Sequence, residues 1–111
     1  MSDCIFCKIL NKEIPSTFVY EDENCFAIND INPKAKKHIL VIPKEHVESL
    51  NEVSDCNLIK NLFEAIKKIN KQENISHFKT LINTGKNAGQ EVMHLHFHML
   101  AGKKLGDKIV G

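Results

Sequence analysis

Polar and apolar residues alternate most strictly at 94–100, which reads HLHFHML. Successive side chains of a β-strand point to opposite faces, so this spacing puts His94, His96 and His98 on one face and Leu95, Phe97 and Met99 on the other. On a helix the same spacing would splay the imidazoles by about 200° per step. Shorter alternating or apolar runs predict four more strands, over 17–21, 25–30, 38–42 and 78–83. They are punctuated by the polar turn Asp22-Glu23-Asn24, by Asn32-Pro33-Lys34 and by Pro43. Two stretches have helical spacing. The first, over about 4–12, carries Ile5, Phe6, Ile9 and Leu10, with Asp3 as its cap and Pro15 as its stop. The second starts at a Ser54 or Asp55 cap and runs to about Gln72, with Leu58, Ile59, Leu62, Phe63, Ile66 and Ile69 as its buried stripe.

Strands joined by short turns pair antiparallel, since parallel neighbours need long crossovers. The pattern therefore predicts an α+β domain: a five-stranded antiparallel sheet with one long and one short helix. A small sheet with an open edge is expected to dimerise by pairing with a second copy.

Composition narrows the function. With 111 residues, the chain is expected to form a single domain over 1–111. A net charge of +1 supplies no field for nucleic acid or for a membrane surface. Asp3 and the absence of a long apolar run argue against a signal peptide, and the aliphatic run 39–42 is far too short to span a bilayer. A cytoplasmic location is expected. There, the four cysteines are reduced or metal-bound rather than paired. Cys25 and Cys56 read as packing residues, and His77 as a surface residue.

Three imidazoles on one face can converge on a metal ion. They can also act as a nucleophile with hydrogen-bonding partners. A merely solvated strand face is the bland alternative. The loop at 84–90 offers backbone N–H groups around Gly85 and Gly89 and a charge at Lys86, a combination suited to an anion. Cys4-x-x-Cys7 is not preceded by the strand that a thioredoxin-like redox unit needs. As half of a zinc site it needs two further ligands, and His46 is available.

These motifs resemble one family. HLHFHML is similar to the signature of the histidine-triad (HIT) superfamily. Further blocks, CIFCKIL (4–10), EIP (13–15), VYED (19–22), DINP (30–33), HILVIPKEH (38–46) and GQEVMHLHFHMLAGK (89–103), resemble its Hint branch of nucleoside phosphoramidate hydrolases. Glu91 resembles the bacterial members, because eukaryotic ones usually carry serine there. The resemblance implies a HIT-like fold and an adenosine 5′-monophosphoramidase-like activity on a purine nucleoside monophosphate or phosphoramidate. His96 would be the nucleophile and form a nucleotidyl-histidine. His98, His38 and His94 would support it, and no cofactor would enter the chemistry.

The resemblance also implies a ligand set. Asn83, Gly89, Gln90 and Glu91 would hold phosphate, and Asp30 the ribose hydroxyls. Ile5, Phe6, Ile9, Ile28 and Ile31 would wall the purine. In many bacterial members a structural zinc is completed by two histidines, which here would be His46 and His94 beside Cys4 and Cys7. Three other readings compete: a dinucleoside polyphosphate hydrolase of the same superfamily, a non-catalytic nucleotide-binding interaction module, and a metalloenzyme using all three triad histidines. The serine of eukaryotic members can donate to a leaving amine and an ionised Glu91 cannot, so leaving-group preference is not carried over.

Overall fold

The computed structural model describes residues 3–102 and 104–106. Lys103, which closes the last family-like block, and residues 107–111 of the tail lie outside the described residues. In chain order the elements are α1 (Ile5–Leu10), β1 (Phe18–Glu21), β2 (Cys25–Asn29), β3 (Lys37–Pro43), α2 (Asn57–Glu73), β4 (Phe78–Leu81) and β5 (Phe97–Ala101). Two short 3₁₀ turns, Leu50–Glu52 and Lys86–Ala88, lie in the connections.

The sheet has the order β1-β2-β3-β5-β4, with every neighbouring pair antiparallel. The five-stranded α+β architecture predicted from the pattern is the one observed. β5 is the last strand in the chain yet sits between β3 and β4. The long crossover through α2 leaves the gap that it fills. That insertion places the histidine strand inside the sheet, with a partner on either side.

Alternation then sorts the side chains. Ala27 of β2, Ile39 and Val41 of β3, and Phe97 and Met99 of β5 face α2, where they bury Leu62, Ala65, Ile66 and Ile69. Each fully buried large aliphatic or aromatic side chain there contributes on the order of 2 kcal/mol. Phe26, Ile28, Leu40 and Ile42 point the other way and pack under Phe6 and Ile9 of α1. His98 shares that second face. The sheet is thus a wall with its main core behind it and its chemistry in front.

Local chemistry explains where the expected boundaries moved. Cys4, not Asp3, caps α1: its Sγ accepts the Cys7 N–H at 3.4 Å. The helix ends before Pro15. Lys12 takes a positive φ of 63°, and Glu13 N–H closes back on Lys8 O at 2.8 Å. That is the left-handed stop that often ends helices, with lysine where glycine is commoner. At α2, Asp55 Oδ1 accepts the Asn57 N–H at 2.9 Å, as a capping residue should. Asp22 closes the β1–β2 hairpin by accepting the N–H groups of Asn24 and Cys25 at 2.7 and 2.8 Å. Two expectations fail on burial: Phe63 is 54% exposed rather than part of the α2 stripe, and Cys56 is exposed rather than packed. Cys25 is fully buried and His77 is exposed, as expected.

Candidate functional site

The paired part of the histidine strand begins at Phe97, three residues later than its alternation predicts. The cause lies across the ladder. Lys44 N–H turns toward Asn24 O on the β2 side, so the residue before it faces β5. That residue is Pro43, which has no N–H to give. The incoming segment finds other partners: Leu95 N–H donates to Val47 O at 2.7 Å, and the His94 ring donates to Pro43 O at 2.8 Å. With the Leu95 N–H given to Val47 O, the Pro43 carbonyl accepts from the His94 imidazole instead.

That bond is the first of a set that fixes the proton on every histidine of the site. A carbonyl only accepts, so His94 carries its proton on Nε2 and keeps a lone pair on Nδ1. His96 Nδ1 lies 2.8 Å from His94 O, so Nδ1 is protonated and Nε2 holds the lone pair. Lys34 N–H donates to His38 Nδ1 at 3.0 Å, which puts the His38 proton on Nε2. His38 Nε2 lies 2.9 Å from His98 Nδ1 and 3.4 Å from Asp30 Oδ2. His98 therefore accepts at Nδ1 and bears its proton on Nε2. Register explains this meeting: His98 pairs with Leu40, so His38, two residues along β3, is its diagonal neighbour on the same face.

Burial keeps the rings uncharged. It lowers the pKa of all four histidines, and holds His94 and His98 at about 4. Repulsion from His96 and His38, should either take up a proton, pushes His98 further the same way. His98 Nε2 is buried with no hydrogen-bond partner among the described residues. An orphaned donor of this kind costs roughly 1–3 kcal/mol, which an acceptor entering the site would recover.

In front of these rings lies a cleft of about 440 Å³, within the usual range for small-molecule sites. One wall is α1, through Ile5, Phe6 and Ile9. Phe6 stands edge-on to His94 and His96, with centroids 5.8 and 5.1 Å apart. Ile28 and Leu40 floor the cleft, and Ile31 stands at its mouth, 91% exposed. Asp30 sits beside His38 with Oδ1 taking the Asn32 N–H at 2.8 Å. On the opposite side are Asn83, Gly89 and Glu91. Gly85 and Gly89 have φ of 91° and 97°, conformations open to glycine.

Three sequence readings change. Gln90 does not line the cleft. It is buried, with Oε1 accepting the Gly85 N–H at 2.9 Å and Nε2 donating to Glu48 O at 2.6 Å and Val92 O at 3.1 Å. It braces the loop that presents Gly89. Lys86 is exposed and is not part of the cleft wall, whereas Lys34 is. The role of the Lys34 amide went unread, although the Asn32-Pro33-Lys34 turn marked its place. Only His98 of the triad lies within the paired strand.

Beside the cleft, Cys4, Cys7, His46 and His94 bring their ligand atoms within 4.8 Å of one another. His94 Nδ1, with its lone pair, lies 3.2 Å from Cys4 Sγ, 3.7 Å from Cys7 Sγ and 3.1 Å from His46 Nδ1. Cys7 Sγ is 3.4 Å from His46 Nδ1. One lone pair cannot serve three donors, but a cation serves four ligands at once. A tetrahedron with bonds of about 2.0 Å to nitrogen and 2.3 Å to sulfur has edges of roughly 3.3–3.8 Å. The donor set and spacings fit zinc, and four protein ligands leave no open position. A second group, Asp30, His38 and His98, also brings its ligand atoms together. There the proton chain already accounts for the contacts.

Comparison with known proteins agrees with this fold. The HIT domain profile matches residues 11–105. HitA of Neisseria gonorrhoeae is 47% identical over 103 residues, covering 90% of this chain and 96% of that protein. A histidine triad protein from Clostridium difficile superposes with a TM-score of 0.92 at 48% identity, covering 98% of both chains. A HIT family hydrolase from Clostridium thermocellum does so with a TM-score of 0.93 at 41% identity, covering 99% of both.

Proposed function

Because the chain belongs to the HIT domain family, we propose that it is a hydrolase of the Hint branch, one HIT domain over 1–111, that cleaves purine nucleoside 5′-phosphoramidates through His96. The observation that carries this reading is the proton assignment: an uncharged His96 with its lone pair on Nε2, next to a His98 N–H that has no partner.

In this reading the base enters between Ile5, Phe6, Ile9, Ile28 and Ile31, and Asp30 accepts from the ribose hydroxyls. Backbone N–H groups near Gly89 and Glu91, with Asn83, hold the phosphate. His96 Nε2 attacks the α-phosphorus, the N–P bond to His96 forms and the bond to the leaving amine breaks. Positive charge on the His96 ring is steadied by the Nδ1–H bond to His94 O. His98 Nε2–H donates to a phosphate oxygen, a charge-assisted bond worth about 1.5–3 kcal/mol. Glu91 is exposed. As a carboxylate it only accepts, so the departing amine takes its proton from water. A water molecule then displaces His96 and releases the nucleoside monophosphate.

Zinc on Cys4, Cys7, His46 and His94 would be structural: it would hold α1 to the segment that presents His96. A homodimer is supported by the position of β4 at a sheet edge, and by exposed Phe63 and Phe78. Free cysteines suit the cytoplasm. No helix among the described residues is long and apolar enough to cross a membrane.

The test is steady-state turnover of adenosine 5′-phosphoramidate. His96→Ala should lose on the order of a thousandfold or more in kcat while still binding AMP. Preferential cleavage of diadenosine polyphosphates would move the protein to that branch. AMP binding without turnover of either would make it a binding module.

A further inference from the structure

Cys4 and Cys7 have a second chemistry open to them. Both side chains are partly exposed. Both sulfurs reach the same atom, His94 Nδ1, at 3.2 and 3.7 Å. The Cys7 N–H points at Cys4 Sγ from 3.4 Å. The two sulfurs are at most 4.8 Å apart. A disulfide requires an S–S distance of about 2.0 Å with Cα atoms roughly 4.4–6.8 Å apart. Residues three apart at a helix start satisfy the second condition, with Cβ atoms about 5–6 Å apart. Closure must also draw the Cβ atoms in to about 3.5–4.5 Å, so it takes a shift of the backbone at the start of α1 together with rotation of both side chains. The other cysteines are placed differently: Cys25 is fully buried and Cys56 precedes α2.

The same short helix carries one wall of the cleft. Ile5, Phe6 and Ile9 lie on α1, and the Phe6 ring abuts both His94 and His96. The Cys4 and Cys7 contacts to His94 and His46 tie the start of α1 to the segment that presents His96. Whatever removes the sulfurs from those rings loosens the wall.

We propose that Cys4 and Cys7 form a reversible thiol–disulfide switch, whose oxidised form releases α1 from His46 and His94 and weakens nucleotide binding. The link to nucleotide rests on the cleft reading above, and the expulsion of a metal on the zinc reading. A peroxide is the oxidant. One thiolate attacks a peroxide oxygen; the S–O bond forms, the O–O bond breaks, and hydroxide leaves and is protonated to water. The second thiolate attacks that sulfur, the S–S bond forms, and the second oxygen leaves as water. Two sulfurs give two electrons, the peroxide becomes two waters, and a bound cation passes to solvent. A dithiol restores both thiols by exchange.

The test uses the full chain carrying Cys56→Ser, which removes an exposed thiol outside the site, loaded with zinc and treated with a few equivalents of hydrogen peroxide. Trypsin releases residues 1–8 as one peptide containing Cys4 and Cys7 and no other cysteine. The expected result is that peptide lighter by about two hydrogen masses, with zinc released in step. AMP affinity, read by titration calorimetry, should fall about tenfold and return with dithiothreitol. Sulfinic or sulfonic products in that peptide, no mass change, or a complete disulfide with unchanged AMP affinity would each overturn the switch. No zinc uptake before oxidation would refute the metal reading alone, and failure of the reduced protein to bind AMP would refute the cleft reading alone. In either case the peptide mass and its reversal still decide whether the disulfide forms.

Discussion

Replacing Gln90 by glutamate keeps the shape of the side chain and changes one group from donor to acceptor. The wild-type amide makes three bonds, to Gly85 N–H, Glu48 O and Val92 O. A carboxylate preserves the first. Its second oxygen would face two carbonyl oxygens at the sites where Nε2 now donates at 2.6 and 3.1 Å. Losing two donated bonds costs about 1 kcal/mol each, and the buried acceptors left unpaired add about 1 kcal/mol more, for roughly 3 kcal/mol near neutral pH. In a domain of this size each kcal/mol lowers the melting temperature by about 4–8 °C, so a drop of roughly 12–24 °C is expected. Protonation makes the new carboxyl a donor again. Its folded pKa is therefore raised, and the variant regains stability relative to wild type as pH falls through that raised value. The assay is thermal unfolding of both proteins from about pH 8 to pH 5, reading the difference at each pH. A difference that is near zero, or that does not shrink on acidification, would refute the assignment of Gln90 as the brace of the loop.

Two further outcomes follow from the same structure. The metal-free protein should lose stability as pH falls from about 6.5 to about 4. Over that range unfolded histidines bind protons that the folded site refuses, at about 1.4 kcal/mol per pKa unit for each group. His94 and His98, held at about 4, contribute most. Denaturation midpoints rising on acidification would contradict the buried, neutral rings. On the zinc reading, stripping the ion with a strong chelator should lower the melting temperature by about 10 °C, on the order of 2–3 kcal/mol of lost binding linkage. Turnover at saturating substrate should persist at about 25 °C; its immediate loss in proportion to metal would contradict a structural role.

The alternation at 94–100 was enough to put the histidines on one face, and the helical stripe of α2 to bury Leu62, Ile66 and Ile69. Side-chain direction on a strand or helix is a local property, written in spacing. What stayed illegible depends on partners far along the chain. Nothing near His94 shows that its ring will bond the carbonyl of Pro43, which stands opposite Leu95 by register. Nothing near Gln90 distinguishes a brace aimed at Glu48 from a ligand to phosphate. Phe63 belongs to the α2 period by spacing, but it lies at the rim of the helix face and stays exposed. Cys4 displaced Asp3 as the cap because its sulfur already faces the Cys7 amide. Most candidate site residues lie in the family-like blocks, with Ile28 and Asn83 outside them; the His96 proton is set locally by His94 O on its own segment, whereas that of His94 depends on Pro43 O from β3 and that of His98 on the His38 ring.

The central claim is that His96 Nε2 attacks phosphorus. It is tested most directly by quenching the protein during turnover of adenosine 5′-phosphoramidate and mapping the modified peptide by mass spectrometry. An adenylyl group on His96, absent from the His96→Ala variant, is the predicted result. Turnover with no adduct under conditions that preserve phosphohistidine, or an adduct on another residue, would contradict the account.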